Sequence, residues 1–178
     1  MQEDISAVYD ELRALAAIHL RRGLRSPSLQ ATQLVHEAWL RLAEKNNWRS
    51  KTHFMATASR TMRNVLIDAA RARYTTKRGG GQTALEITPG IELKLAGLAL
   101  PMEQLMELDQ ALSRLAEEDP RKARVVEMRF FGGMEFTEIA EALEVSLITV
   151  KRDWQFSRAW LAGQLNAPAH SSGDSDDT

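Results

Sequence analysis

Apolar positions recur at helical spacing along almost the whole chain. Ile5, Val8, Leu12 and Leu15, with Tyr9 and Ile18 beside them, make a first stripe that ends around His19 to Gly23, where Gly23 and Pro27 punctuate the chain. A second helix is predicted from about Ser28 to Glu44. It sets Leu34, Val35, Ala38 and Leu42 on one side and His36, Glu37 and Arg41 toward the other, with Trp39 read as a core aromatic. After the polar stretch Asn46 to His53, a third helix is predicted from Phe54 to Arg73. Phe54, Ala58, Met62, Val65 and Ala69 form its apolar stripe, while Arg60, Arg63, Asn64, Ile67 and Arg71 project from another face. Lys77-Arg78-Gly79-Gly80-Gly81 ends this region, and Thr88-Pro89-Gly90 and Gly97 keep the next stretch of chain irregular. The glycine run lacks the GK[ST] ending of a phosphate loop and reads as a flexible exit.

From Met102 the pattern Leu105, Leu108, Leu112, Leu115 restores a helix through about Glu117. Asp119-Pro120 then reads as an N-cap with proline at the first helical position. Val125, Val126, Met128 and Phe130 supply apolar surface before Gly132-Gly133 closes that helix. Phe136 to Leu161 reads as a short helix, a tight turn and a second helix. Phe136, Ile139, Ala140 and Leu143 mark the first apolar face, Glu144-Val145-Ser146 interrupts it, and Ser146 is a good N-cap for the second. In that second helix Val150, Trp154 and Leu161 share a buried side, and Ile148, Arg152 and Gln155, flanked by Thr149 and Lys151, share the other. The arrangement matches a helix-turn-helix, whose second helix enters the DNA major groove. An ordinary helical hairpin with a solvated face is the alternative that spacing leaves open. After Leu165 the residues NAPAHSSGDSDDT have no apolar period and read as a disordered acidic tail.

Composition adds a charge map that the net value of -1 conceals. From Arg41 to Arg78 ten basic residues face two acidic ones, whereas from Pro101 to Pro120 six acidic residues face Arg114 alone. Such asymmetry predicts one surface for a polyanion and another that must not stick to it. Arginine and asparagine on the third helix suit phosphates and base edges, and Trp48 in the preceding loop could stack an unpaired base. The chain has no cysteine, which excludes disulfides, a thiol nucleophile and Cys-based zinc sites. Its acidic amphipathic start lacks the order of a secretion signal, and the apolar run Leu95 to Leu100 is far too short for a membrane span. A soluble cytoplasmic protein with no membrane insertion is expected. His19, His36, His53 and His170 show no metal-ligand spacing, and Asp68 has no acid-base partner. No enzyme, catalytic residue, metal, cofactor or small-molecule substrate is expected.

Three stretches carry a family resemblance: ATQLVHEAWLRL from Ala31 to Leu42, HFMATASRTMRNVLIDAARAR from His53 to Arg73, and TVKRDWQFSRAWL from Thr149 to Leu161. In that order and spacing the chain resembles the extracytoplasmic-function (ECF) sigma factors of the bacterial sigma-70 family, and its DWxxxRAWL ending is similar to the ECF-like branch. The resemblance implies an all-α fold of two small helical domains joined by a flexible linker, the second a four-helix unit ending in the helix-turn-helix. Residues 1–78 would form a region 2-like domain, 79–101 the linker, 102–165 a region 4-like domain and 166–178 the tail. It further implies a subunit that binds RNA polymerase core enzyme and promotes initiation at promoter DNA.

By the same resemblance, Leu34, Val35, His36, Glu37, Trp39 and Arg41 would bind the polymerase clamp. Asn47, Trp48, Arg49, Ser50, Lys51, His53, Arg60, Arg63, Asn64 and Arg71 would recognise the -10 element, and Ser146, Ile148, Thr149, Lys151, Arg152 and Gln155 the -35 element. The chain departs from the family pattern in having Glu144 where the turn often has glycine, Glu135 where an N-cap Ser or Thr is common, and Gln33 and His36 where an acidic residue and a glutamine often flank the valine of the clamp-binding helix. An anti-sigma protein is a further partner that the resemblance allows. A stand-alone helix-turn-helix regulator is the alternative function, and it would not need the basic Arg41 to Arg78 region for single-stranded DNA.

Overall fold

The longest helix organises the molecule because it is buried along two of its sides. In a computed structural model, which describes residues 9–10, 12–14, 16–17, 31–43, 50–77 and 102–166, the chain is all-α, with no strand among the described residues. Helix α1 spans Ala31–Ala43 and α2 spans Lys51–Lys77. Helix α3 comes next over Met102–Glu118, then α4 over Pro120–Val126, α5 over Phe136–Leu143 and α6 over Leu147–Asn166. Residues 9–10, 12–14 and 16–17 are helical as well, with Leu12 and Ala16 fully buried. The expectations placed on Ile5, Val8, Leu15 and Ile18, on Asn47 to Arg49 and on the linker lie outside the described residues, as does the expected tail beyond Asn166.

At about 1.5 Å per residue, the 27 residues of α2 extend roughly 40 Å. The helix begins three residues before the predicted Phe54 because Ser50 caps it: the His53 N–H donates to Ser50 Oγ at 3.1 Å. The expected stripe is buried from Phe54 to Val65, with Ala58, Met62 and Val65 at 1% exposure or less, and Ala69 is half-buried. Trp39 of α1 sits half-buried between Tyr9 and Phe54, at ring-centroid distances of 5.8 and 6.1 Å. A second buried face, formed by Met55, Ala56, Ser59, Leu66 and Ala70, is not predicted by the stripe. Ile67, expected to project with the polar residues, is buried too. The reason is tertiary: α2 packs against α1, and also against α3, α5 and the turn after α4.

That turn is a widened, π-helical one over Glu127–Phe131, and it continues α4 directly. Phe130 and Phe131 are adjacent, both fully buried, and stack edge to face at 4.8 Å. Asp119 caps α4 as predicted, its Oδ1 accepting the Lys122 N–H at 3.1 Å, with Pro120 at the first position. Gly132 then lets α2 come close. A Cβ built on it would lie 2.0 Å from Ser59 Oγ and 3.0 Å from Ser59 Cβ.

The predicted helix-turn-helix forms. Val150 and Leu161 are fully buried, Trp154 is 8% exposed, and the Trp154 ring meets Phe136 of α5 at 6.0 Å. Glu144 occupies the left-handed conformation at φ 54°, ψ 41°, the one such non-glycine residue among those described. Around it Glu144 N–H donates to Glu141 O at 3.2 Å and Val145 N–H to Ala140 O at 3.0 Å, the paired bonds of a Schellman ending. Glutamate thus adopts the backbone that glycine would take, at the cost of a Cβ–carbonyl contact. Glu135 serves at the start of α5, where its N–H donates to Glu138 Oε2 at 2.7 Å. Ser146 caps α6, accepting the Thr149 N–H at 3.1 Å.

Candidate nucleic-acid interface

The second helix of the helix-turn-helix presents its polar side without obstruction. Lys151, Arg152 and Gln155 are exposed, and Ile148 is 71% exposed despite being apolar. At about 100° per residue these four residues fall within roughly 100° of arc at the start of α6. Arg152 and Lys151 can donate to guanine, Gln155 can pair with adenine, and Ile148 suits a thymine methyl group. Ser146 and Thr149 lie at the same end, but their hydroxyls are 2.8 Å apart and Ser146 Oγ also serves as the cap. These two residues hold the helix start in shape. On the opposite side Asp153, 3% exposed, receives Arg121 Nε at 2.7 Å and Nη2 at 3.2 Å, tying α6 to α4. The hydrogen bond and charge of Asp153 hold the Arg121 guanidinium above its ordinary pKa.

On α2 the expected residues divide. His53, Arg60, Asn64 and Arg71 are exposed and fall within about 40° of arc. They line one side of α2, with Asp68 exposed beside them, and the cap residue Ser50 and first residue Lys51 are exposed as well. Arg63, about 60° of arc from Arg60, is 9% exposed and turned toward α3 and the π turn. Its Nε donates to Asp109 Oδ1 at 2.8 Å, Nη1 to Glu127 Oε1 at 2.7 Å, and Nη2 to Asp109 O at 2.9 Å and Ser113 Oγ at 3.1 Å. Asp109 also accepts from Arg71 at 3.3 Å, and Glu127 from Arg124 at 2.7 Å. Arg124 in turn donates to the Ala56 carbonyl at 2.9 Å. The result is a chain of three arginines and two carboxylates across the seam between α2 and the second half of the molecule. Sequence reasoning missed Asp109 and Glu127. The charge asymmetry was the available signal, since a strongly basic segment and a strongly acidic one can satisfy each other.

The α1 set divides similarly. His36, Glu37 and Arg41 are exposed, and Arg41 donates to Glu37 at 2.6 Å and to Asp68 of α2 at 3.3 Å. Val35 is fully buried, so it belongs to the core beneath this face rather than to the face itself. Leu34 lies on α1, its side chain outside the described residues. Leu40, 56% exposed, adds an apolar patch that sequence reasoning did not single out, although its register places it between His36 and Glu37.

No group of three or more His, Asp or Glu suited to a metal occurs among the described residues, and none of the described helices is long and apolar enough to cross a membrane. No curated protein and no solved structure matches the chain. A family model described as ECF sigma factor matches residues 2–167 of the 178. The match runs through α1, the basic helix and the helix-turn-helix alike, and the chain belongs to the ECF sigma factors, the subunits that bring RNA polymerase core to promoter DNA for transcription initiation.

Proposed function

We propose that this sigma factor reads a promoter at two places with two different helices. The face of α6 formed by Ile148, Lys151, Arg152 and Gln155, started by Ser146 and Thr149, reads the -35 major groove. The strip of α2 formed by Ser50, Lys51, His53, Arg60, Asn64 and Arg71, with Arg63 beside it and the Asn47-Trp48-Arg49 loop before it, takes the melted -10 strand. The exposed face of α1 carrying His36, Glu37 and Arg41, over buried Val35 and half-buried Trp39 and with Leu34 on the same helix, docks on the polymerase clamp. In this division residues 1–78 and 102–165 act as two domains joined through 79–101, with 166–178 as a tail, and an anti-sigma protein would act by covering one of these faces.

The observation that carries the reading is that one chain exposes two separate polar strips of different chemistry. The strip on α6 has long side chains suited to base edges in a duplex. The strip on α2 has arginine, histidine and asparagine, and Trp48 precedes it in the sequence, a set of residue types that suits an unstacked strand. Extruding a base from duplex costs a few kcal/mol, which contacts in the α2 region must offset. A stand-alone regulator would leave the basic strip without a task.

Transcription with core polymerase on a pool of genomic promoters tests this. Specific initiation at promoters sharing two spaced elements is expected, and the absence of any specific start would overturn it. Trp48→Ala is expected to initiate far better on a premelted template than on duplex. An equal loss on both would remove the loop from strand capture.

A further inference from the structure

The seam between α2 and the second half of the molecule holds together groups of opposite promise. Arg63 and Arg71 lie on the helix assigned to the melted strand, and the carboxylates that engage them belong to the most acidic stretch of the chain and to the π turn. Asp109 presents one oxygen to Arg63, 2.7 Å from Nη2, and the other to Arg71, and Glu127 divides its oxygens between Arg63 and Arg124. A carboxylate bridging two guanidinium groups offers them the negative charge and paired acceptor oxygens that a phosphate also offers. Burial makes the arrangement firm: the Glu127 side chain is 5% exposed and that of Arg63 10%. Apolar and steric fit close the same seam. Ser59 and Gly132 meet with no room for a Cβ, Ser59 Oγ lies 3.9 Å from Met134 Sδ, and Phe131 and Met134 are buried.

We propose that Asp109 and Glu127 act as built-in stand-ins for nucleic-acid phosphate, holding Arg63 and Arg71 in a docked state that keeps the free protein from binding single-stranded DNA. The device rests on the assignment of the α2 strip to the melted strand. Undocking the second half releases both arginines at once and gives the strand its full set of contacts. The covalent connection permits it, because 24 residues separate Lys77 from Met102 and can reach up to about 80 Å when extended. Acidic residues on the undocked half would then repel a strand rather than compete for the same arginines from within the seam.

Full-length chains can be compared by small-angle scattering and by fluorescence anisotropy with a labelled single-stranded oligonucleotide of mixed sequence. Asp109→Asn/Glu127→Gln is expected to enlarge the radius of gyration and to tighten strand binding about tenfold or more. Glu117→Gln/Glu118→Gln removes the same two charges from exposed positions of the same half and is expected to do neither. Gly132→Ala wedges the seam, its Cβ meeting Ser59 and also the Met128 carbonyl 2.7 Å away, and removes none of the five charged groups; it is expected to shift both readouts in the direction of the first variant, with helix content by circular dichroism unchanged. An unchanged radius in both seam variants would overturn the proposal. So would an enlarged radius with an affinity no tighter than that of Glu117→Gln/Glu118→Gln. Adding Arg60→Ala/Asn64→Ala to Asp109→Asn/Glu127→Gln separates the two levels. If that addition weakens strand binding while the seam variants give no gain, the device fails and the assignment of the strip stands. If the addition leaves binding unaltered, the strip assignment itself fails.

Discussion

Helices α2 and α6 are both long, both amphipathic and both assigned to nucleic acid, yet they are set into the molecule in opposite ways. Helix α6 is held from one side by Val150, Trp154, Leu161 and the Arg121–Asp153 pair, which leaves its polar face clear. Helix α2 is buried on two sides, and one of its cations has been drawn into a buried network. A duplex groove can be read by a ready-made surface, since the groove exists before the protein arrives. A melted strand exists only after the duplex opens, and the proposed docking would keep Arg63 and Arg71 paired until then. The difference predicts that substitutions on α2 act on stability and on DNA together, whereas those on the face of α6 act on DNA alone.

The largest expected effect tests this on the buried side. Among the described residues Arg63→Ala leaves Asp109 paired with Arg71 and Glu127 with Arg124, and it should cost about 3 kcal/mol of stability in chemical denaturation, the low end for breaking a buried ion pair. A loss within about 0.5 kcal/mol, the range of ordinary surface substitutions, would place Arg63 outside any structural network. Next, Arg152→Ala should cost about 1–3 kcal/mol in discrimination at the -35 element with stability unchanged; a promoter profile matching wild type would remove Arg152 from the groove. Asp119→Ala should then cost about 1 kcal/mol by uncapping α4. The hydrogen bond and charge of Lys122 hold the Asp119 carboxyl below its ordinary range, against a smaller opposing effect of burial. A lowered folded-state pKa gives stability that is present above the unfolded value and lost as pH falls through the lowered one. The penalty of Asp119→Ala should therefore be full at neutral pH, begin to shrink below about 4 and go on falling as pH passes through the lowered folded-state value; a penalty independent of pH would contradict the cap's charge. Smallest is Glu144→Gly, which relieves a left-handed glutamate but adds backbone freedom to the unfolded chain. A net gain of about 0.5 kcal/mol is expected, and a loss would mean that the Glu144 side chain makes a contact of its own.

These residues also mark what the sequence could and could not disclose. Ser146, Asp119 and the Val150, Trp154, Leu161 stripe were legible because caps and helical stripes are local, decided within a turn or two of chain. The exposed faces of α6 and of α1 come from the same periodicity. The second buried face of α2 was not legible, because Ala56, Ser59 and Ala70 are small residues equally at home on either side of a helix. Nor was the role of Arg63: its partners lie 46 and 64 residues away, and an arginine at the edge of a polar face reads as solvated until its neighbour is known. The acidic stretch was legible but its counterpart was only partly so, since Asp109 faces the chain's own arginines rather than solvent. The π turn at Glu127–Phe131 left no periodic signal at all. It shifts the phase of one helix by a single residue, and it is what carries Glu127 into the seam beside Phe130 and Phe131.

The claim that one chain reads two elements with two helices is tested most directly by profiling initiation across a promoter library randomised at both elements, with core polymerase and the variants Arg152→Ala and Asn64→Ala. Arg152→Ala should alter base preference at the -35 element alone and Asn64→Ala at the -10 element alone. Altered preference at the same element in both variants, or unaltered preference in both, would contradict it.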